Sequence, residues 1–132
     1  MGAPAPFTYN ATLSYPPDVG APNVAIPVNM QDSFENKATY DYKLTGAGTQ
    51  VVDFGTLVLA GAKLISVEVD PDASPAAAAL MVQFNGGGVG GQVEVAPGGF
   101  LSIGNPKPTA LGVLSLELVH TTDLCVRVRV LG

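Results

Sequence analysis

Cysteine occurs once in this 132-residue chain, at Cys125, tryptophan is absent, and only 13% of the residues are charged. A single thiol cannot close an intrachain disulfide, so the fold must be held by buried apolar area and backbone pairing. Cys125 is accordingly expected as a small core residue. Basic side chains are scarcer than acidic ones, 6 against 11, for a net charge of −5. A protein that held nucleic acid by neutralising phosphates would lack its main attraction at this charge, so nucleic acid is not an expected partner. Long hydrophobic runs are missing as well. The most apolar stretch, Val51 to Leu64, is interrupted by Asp53, Gly55, Gly61 and Lys63, well short of the roughly 18 uninterrupted apolar residues that a membrane helix takes. The start, MGAPAPFTYN, holds neither a basic residue nor an apolar run, so no secretory signal is expected and the chain reads as intracellular when made. Pro6 stands where a myristoylation signal at Gly2 wants Ser or Thr.

What is present is apolar and turn-rich. Hydrophobic residues make up 47% of the chain, beside 16 Gly and 11 Pro, a composition that excludes a disordered chain and a coiled coil and suits one domain. Period-two alternation runs from end to end. In Phe7 to Tyr15 the residues Phe7, Tyr9, Ala11, Leu13 and Tyr15 share one face of an extended chain, with Thr8, Asn10, Thr12 and Ser14 on the other. Pro16 to Pro22 then breaks any ladder. A second strand is expected over Val24 to Met30 with an extension toward Phe34, and Pro27 assigns it to an edge or a bulge. Further strands are expected over Ala38 to Leu44, Thr49 to Val58, Lys63 to Asp70 and Ala78 to Asn85. Gln92 to Val95 and Phe100 to Ile103 read as two strands or one bent strand. Alternation around Leu114 to Leu118 and Val126 to Val130 supplies the last two.

Eight to ten short strands separated by turn signals predict an all-β, two-layer β-sandwich, most simply a jelly roll. Its core is expected to include Phe7, Leu13, Ile65, Val67, Val69, Val82, Phe84, Leu116, Val126, Val128 and Val130. One short helix over Ser74 to Leu80 is expected, with Ser74 as cap and Pro75 in its first turn. Residues 1–6 read as an extended N-terminal arm, and residues 7–132 as a single sandwich domain.

No pattern of catalytic or ligand-binding residues stands out. His120 and Asp123 with a serine would make a hydrolytic triad, but no Gly-x-Ser-x-Gly elbow accompanies them. Cys125 and His120 are oddly spaced for a shared metal and fall on opposite faces of a regular strand. Asp70-Pro71-Asp72 opens like a calcium loop but lacks the closing Gly and Glu. Gly86 to Gly91 lacks the Lys-Ser/Thr of a phosphate-binding loop. Asn10-Ala11-Thr12 matches a glycosylation sequon, which matters only in a secreted chain. Tyr9, Tyr15, Tyr40 and Tyr42 could stack on sugar rings, although alternation directs most of them inward. The expectation is a protein with no enzymatic activity, no catalytic or metal residues and no cofactor.

With few charges, the outward positions must be filled by Thr, Ser, Asn, Gln, Ala, Gly and Pro. Such surfaces resemble interfaces, which are depleted in Lys, Glu and Asp. The start Met1 to Pro6, the acidic all-β body, the segments Phe84-Asn85-Gly86 and Val95 to Leu101, and the terminal Val126 to Val130 resemble small tailed-bacteriophage virion proteins, in particular jelly-roll capsid cement (decoration) proteins. The resemblance spans most of the chain without an invariant motif. It implies a protein that binds across capsid subunits and stabilises the shell. Its partners would be the major capsid protein and copies of itself as a dimer or trimer, on a virion assembled in the host cytoplasm. A tail or baseplate subunit, a head-fibre subunit, and a carbohydrate-binding module are the alternatives.

Overall fold

A computed structural model describes residues 4–34, 37–52, 62–71, 79–84, 92–104 and 115–132. Among them all regular structure is β. The strands are β1 (Ala5–Tyr15), β2 (Val24–Phe34), β3 (Lys37–Leu44), β4 (Gly48–Val51), β5 (Leu64–Val69), β6 (Leu80–Phe84), β7 (Gln92–Val95), β8 (Phe100–Gly104), β9 (Leu116–His120) and β10 (Leu124–Leu131). The first two form a separate hairpin, and the other eight form two four-stranded sheets ordered β3-β10-β5-β8 and β4-β9-β6-β7.

The eight sandwich strands nest. Working inward from the two ends, β3 pairs with β10, β4 with β9, β5 with β8 and β6 with β7, all antiparallel. Two further ladders, β10 with β5 and β6 with β9, close each sheet. This is an antiparallel double chain rolled into two layers, the jelly-roll solution to burying one face of each sheet. The expected fold is present.

Alternation decides which side chains fill the space between the layers. Val126, Val128 and Val130 of β10 and Ile65, Val67 and Val69 of β5 meet Leu80, Val82, Leu116 and Leu118 of the other sheet in one cluster. Phe84 packs half-buried at its border. Eight of the expected core residues are thus buried. Two belong elsewhere: Leu13 is 60% exposed, and Phe7 packs against Phe34 at the base of the hairpin with ring centroids 6.0 Å apart. Both lie on β1, which pairs with β2 rather than with a sandwich strand, so the same alternation puts them on the ribbon's apolar face, outside the space between the two sheets. Cys125 is also not a core residue. It sits half-buried on the outward side of β10, between the inward Leu124 and Val126.

Segment boundaries moved in informative ways. Ala5 and Pro6, expected in the arm, pair with Phe34 and Ser33 in the first ladder. The segment around Ala96-Pro97-Gly98-Gly99 is neither a bend in one strand nor a hairpin; β7 and β8 belong to different sheets, and the chain crosses between layers there. That corner is tied to the end of β5, where Gly98 N–H donates to Val69 O at 2.9 Å and Val69 N–H to Gly99 O at 3.2 Å. Most of the expected helix and the glycine run after Asn85 lie outside the described residues, although Leu80 itself opens β6.

Leu118 is wholly buried, so Leu118→Ala should cost about 2–5 kcal/mol through lost transfer energy and the cavity left behind. Leu13→Ala should stay within about 0.5 kcal/mol at protein concentrations low enough to keep the chain monomeric. Urea unfolding of the two variants beside the parent checks the contrast.

Candidate functional site

His120 and Asp123, the residues that a triad would have used, meet at one glycine. Strand β9 ends at His120 and the chain crosses to β10 in the other sheet; β3 ends at Leu44 and crosses the opposite way to β4. The two crossings are latched together by Gly46. Its N–H donates to Asp123 Oδ1 at 2.7 Å, and its carbonyl lies 2.6 Å from His120 Nδ1. Because a carbonyl only accepts, the imidazole is assigned the Nδ1–H tautomer. Gly46 holds φ at 61°, a left-handed conformation that costs an L side chain about 1–2 kcal/mol. The ring is 7% exposed and lies over Gly48, its cross-strand neighbour. One nitrogen is committed to a backbone carbonyl and the ring is closed off by the sheet, so the pair serves as a corner clasp. The buried Ser66 is on the other sheet, where its hydroxyl accepts from Ser102 at 3.3 Å. Ser66 therefore lies in the layer opposite the one that carries His120.

Cys125 and His120 are likewise separated: the histidine faces inward on β9, the cysteine outward on β10 of the opposite layer. Tyr40 and Tyr42 stack on each other with centroids 5.7 Å apart and pack against the core. Each ring therefore has one face against the other, and both are half-buried. Asn10 lies exposed on β1, while Asp72, Ser74 and Gly86 to Gly91 are outside the described residues.

The outward side of β3-β10-β5 carries crossed charges. Arg127 Nε donates to Asp41 Oδ1 at 2.6 Å, directly across the β3–β10 ladder, and Arg129 donates to Glu68 Oε1 at 2.9 Å on β5. The hydrogen bond and charge of Asp41 hold the Arg127 guanidinium above its ordinary pKa, helped by Glu68 and Asp70. Beside these pairs an open cavity of about 610 Å³ runs between Arg127, Lys43, Pro71 and Phe100. Each arginine is matched to a carboxylate, so neither guanidinium is left as a free cation at the cavity.

Exposed apolar surface is concentrated on the hairpin. Register places Tyr9, Ala11, Leu13 and Tyr15 of β1 opposite Met30, Val28, Ile26 and Val24 of β2, and directly opposed residues share a face. Thr8, Asn10, Thr12 and Ser14 occupy the other face with Gln31, Asn29, Pro27 and Ala25. The base of this ribbon is fastened to the body, where Lys63 Nζ donates to Ser33 O at 2.8 Å and pairs with Asp32 at 3.4 Å. Met30 lies so close over Gly104 that a Cβ there would meet its sulfur at 2.7 Å. Toward the tip Leu13, Tyr15, Val24, Ile26 and Val28 are all exposed, as is Val19 in the turn. The sequence signal was available: two alternating strands joined by one Pro-rich turn make a hairpin, and their in-phase apolar positions make one face of it.

No family model matches the chain, and comparison with curated proteins finds no match. Among solved structures, a chain described under "Bacillus endospore appendages form a novel family of disulfide-linked pili" is similar at a TM-score of 0.40 and 17% identity, over 73% of this chain and 85% of that one. A likeness at that level transfers neither function nor assembly.

Removing either half of the clasp leaves a Gly46 backbone group without its partner. His120→Ala, which also removes a buried ring, should lower stability by about 1–3 kcal/mol, and Asp123→Ala, at a solvent-exposed bond, by about 0.5–1.5 kcal/mol, and together by less than the sum because they hold the same residue. A double-mutant cycle in urea measures this; fully additive losses would show that the two bonds act separately.

Proposed function

We propose that this chain is a structural subunit that works by associating with copies of itself and has no reaction of its own. The observation that carries the reading is the projecting ribbon, one face of which is lined by large apolar side chains that a free monomer leaves in water. Contiguous apolar patches on soluble chains mark contact surfaces. The composition supports it, since a surface poor in Lys and Glu solvates a monomer weakly and suits burial against a neighbour. The placement of His120, Asp123 and the buried serine in structural roles supports the absence of catalysis.

Nothing in the fold selects a capsid lattice as the partner, so the expectation of a cement protein widens to the class of self-assembling β-sandwich subunits, which includes the tail, baseplate and fibre roles. The expected virion location rests on the family resemblance alone and goes with it.

Sedimentation velocity over a range of concentrations tests the reading. Species heavier than the 13.4 kDa chain should form as concentration rises. They should persist at about 1 M salt, where the Debye length is only about 3 Å and contacts steered by charge weaken. A chain that stays monomeric at every concentration overturns the proposal.

A further inference from the structure

We propose that the distal half of the β1–β2 ribbon docks on the same ribbon of a second copy, apolar face against apolar face; the inference rests on the self-association reading and names its contact. Three observations choose this occupant.

The first is continuity. The apolar face is a single stripe whose proximal part is already seated on the chain's own sandwich through Met30 over Gly104. From Leu13 and Val28 toward the tip the stripe continues with the same chemistry and is exposed: Leu13 is 60% and Val28 57% exposed. The second is charge. From Ala11 to Tyr15 and from Val24 to Met30 there is no Asp, Glu, Lys or Arg, so two stripes can meet without like-charge repulsion although each chain carries −5. The outward side of the β3-β10-β5 layer offers no such match. Docking there would bury Asp41, Arg127, Glu68 and Arg129, whose desolvation works against binding. The third is the ribbon's edges. Pro6 and Pro27 have no N–H to give an added strand, which disfavours growth edge to edge and leaves the face as the surface for contact.

The exposed part of the stripe is five large side chains, Leu13, Tyr15, Val24, Ile26 and Val28, far fewer than the roughly 20–30 residues a side of a standard interface. One ribbon pair is therefore a weak contact whose occupancy rises with concentration. The same stripe on self-paired copies is isologous, so each side chain near the two-fold axis is used twice. A lipid bilayer is the rival apolar surface, since strands of 11 residues are long enough to cross one in β form. A spanning β structure must satisfy every backbone donor and acceptor within itself, and Pro6 and Pro27, which have no N–H, would leave carbonyls of neighbouring strands without a donor.

The test compares the full chain with two doubly substituted forms by sedimentation velocity. Leu13→Asp with Ile26→Asp places two carboxylates at an opposed pair on the apolar face; Thr12→Asp with Ala25→Asp places two on the polar face of the same ribbon. Expected is at least about a tenfold rise in the association midpoint for the first and little change for the second, with the β circular dichroism spectrum and the thermal midpoint of the sandwich preserved in both. Equal loss in the two forms means that the ribbon's folding rather than its apolar face matters, and overturns the contact. Association that survives Leu13→Asp with Ile26→Asp also overturns the contact and leaves self-association standing. A parent chain that is monomeric removes both readings, and a parent chain that floats with phosphatidylcholine vesicles through Leu13 and Ile26 assigns the stripe to a membrane instead.

Discussion

Strand β10 is hydrogen-bonded on both sides, to β3 and to β5, while Val126, Val128 and Val130 fill the space between the sheets. A slip of one residue would send all three valines to the outward face and bring Arg127 and Arg129 into the core. Side-chain alternation has a period of two and desolvating an unpaired charge is expensive, so the register is heavily specified. Once β10 is set, β3 and β5 follow from its two ladders, and β8 follows from β5. The ion pairs on the outward side report the same register rather than create it, because half-exposed pairs contribute little.

The opposite layer depends on how the chain changes sheets. Six of the seven connections between sandwich strands pass from one layer to the other, and two of the described corners are fastened by hydrogen bonds to backbone groups. The Gly46 clasp ties the crossing after β3 to the crossing after β9, and the Gly98 corner ties the crossing after β7 to the end of β5. A histidine and an aspartate three residues apart suggest chemistry in a bare sequence. At a corner the same two side chains are one donor and one acceptor for the backbone of a turn that has left its ladder partners.

The sandwich was legible because its code is local. Alternation in Lys63 to Asp70 and Val126 to Val130 states which side chains go inward without any knowledge of the partner strand. Sheet membership was not legible: the Pro97-Gly98-Gly99 segment has the same composition whether it bends a strand or carries it to the other layer, and the choice depends on hydrogen bonds to Val69, distant in sequence. The errors over Leu13 and Cys125 share one cause. Alternation assigns residues to two faces but does not say which face is covered, and burial is decided by what lies opposite. For β1 that is β2 and water; for Cys125 it is the outward side of the charged layer. The arm was underread for a related reason, since Pro6 discourages a central strand but is compatible with an edge.

The division of the chain into a closed body and an open ribbon bears on how association and folding are linked. A two-stranded hairpin is marginally stable in water by itself, and this one is held at its base by Lys63, Asp32 and Met30, with the apolar side chains of its outer part exposed. The ordering entropy of the outer half is offset in full only when its apolar face is covered. On the docking proposed above, straightening the ribbon and binding the next copy become one event rather than two. The body is already folded and contributes no such cost, so the free energy of contact is spent on a short segment, and the association is correspondingly sensitive to that segment. The polar face of the ribbon, with its threonines and asparagines, stays solvated throughout, which confines the attraction to one side and keeps a charge-poor chain from collapsing onto its neighbours without order.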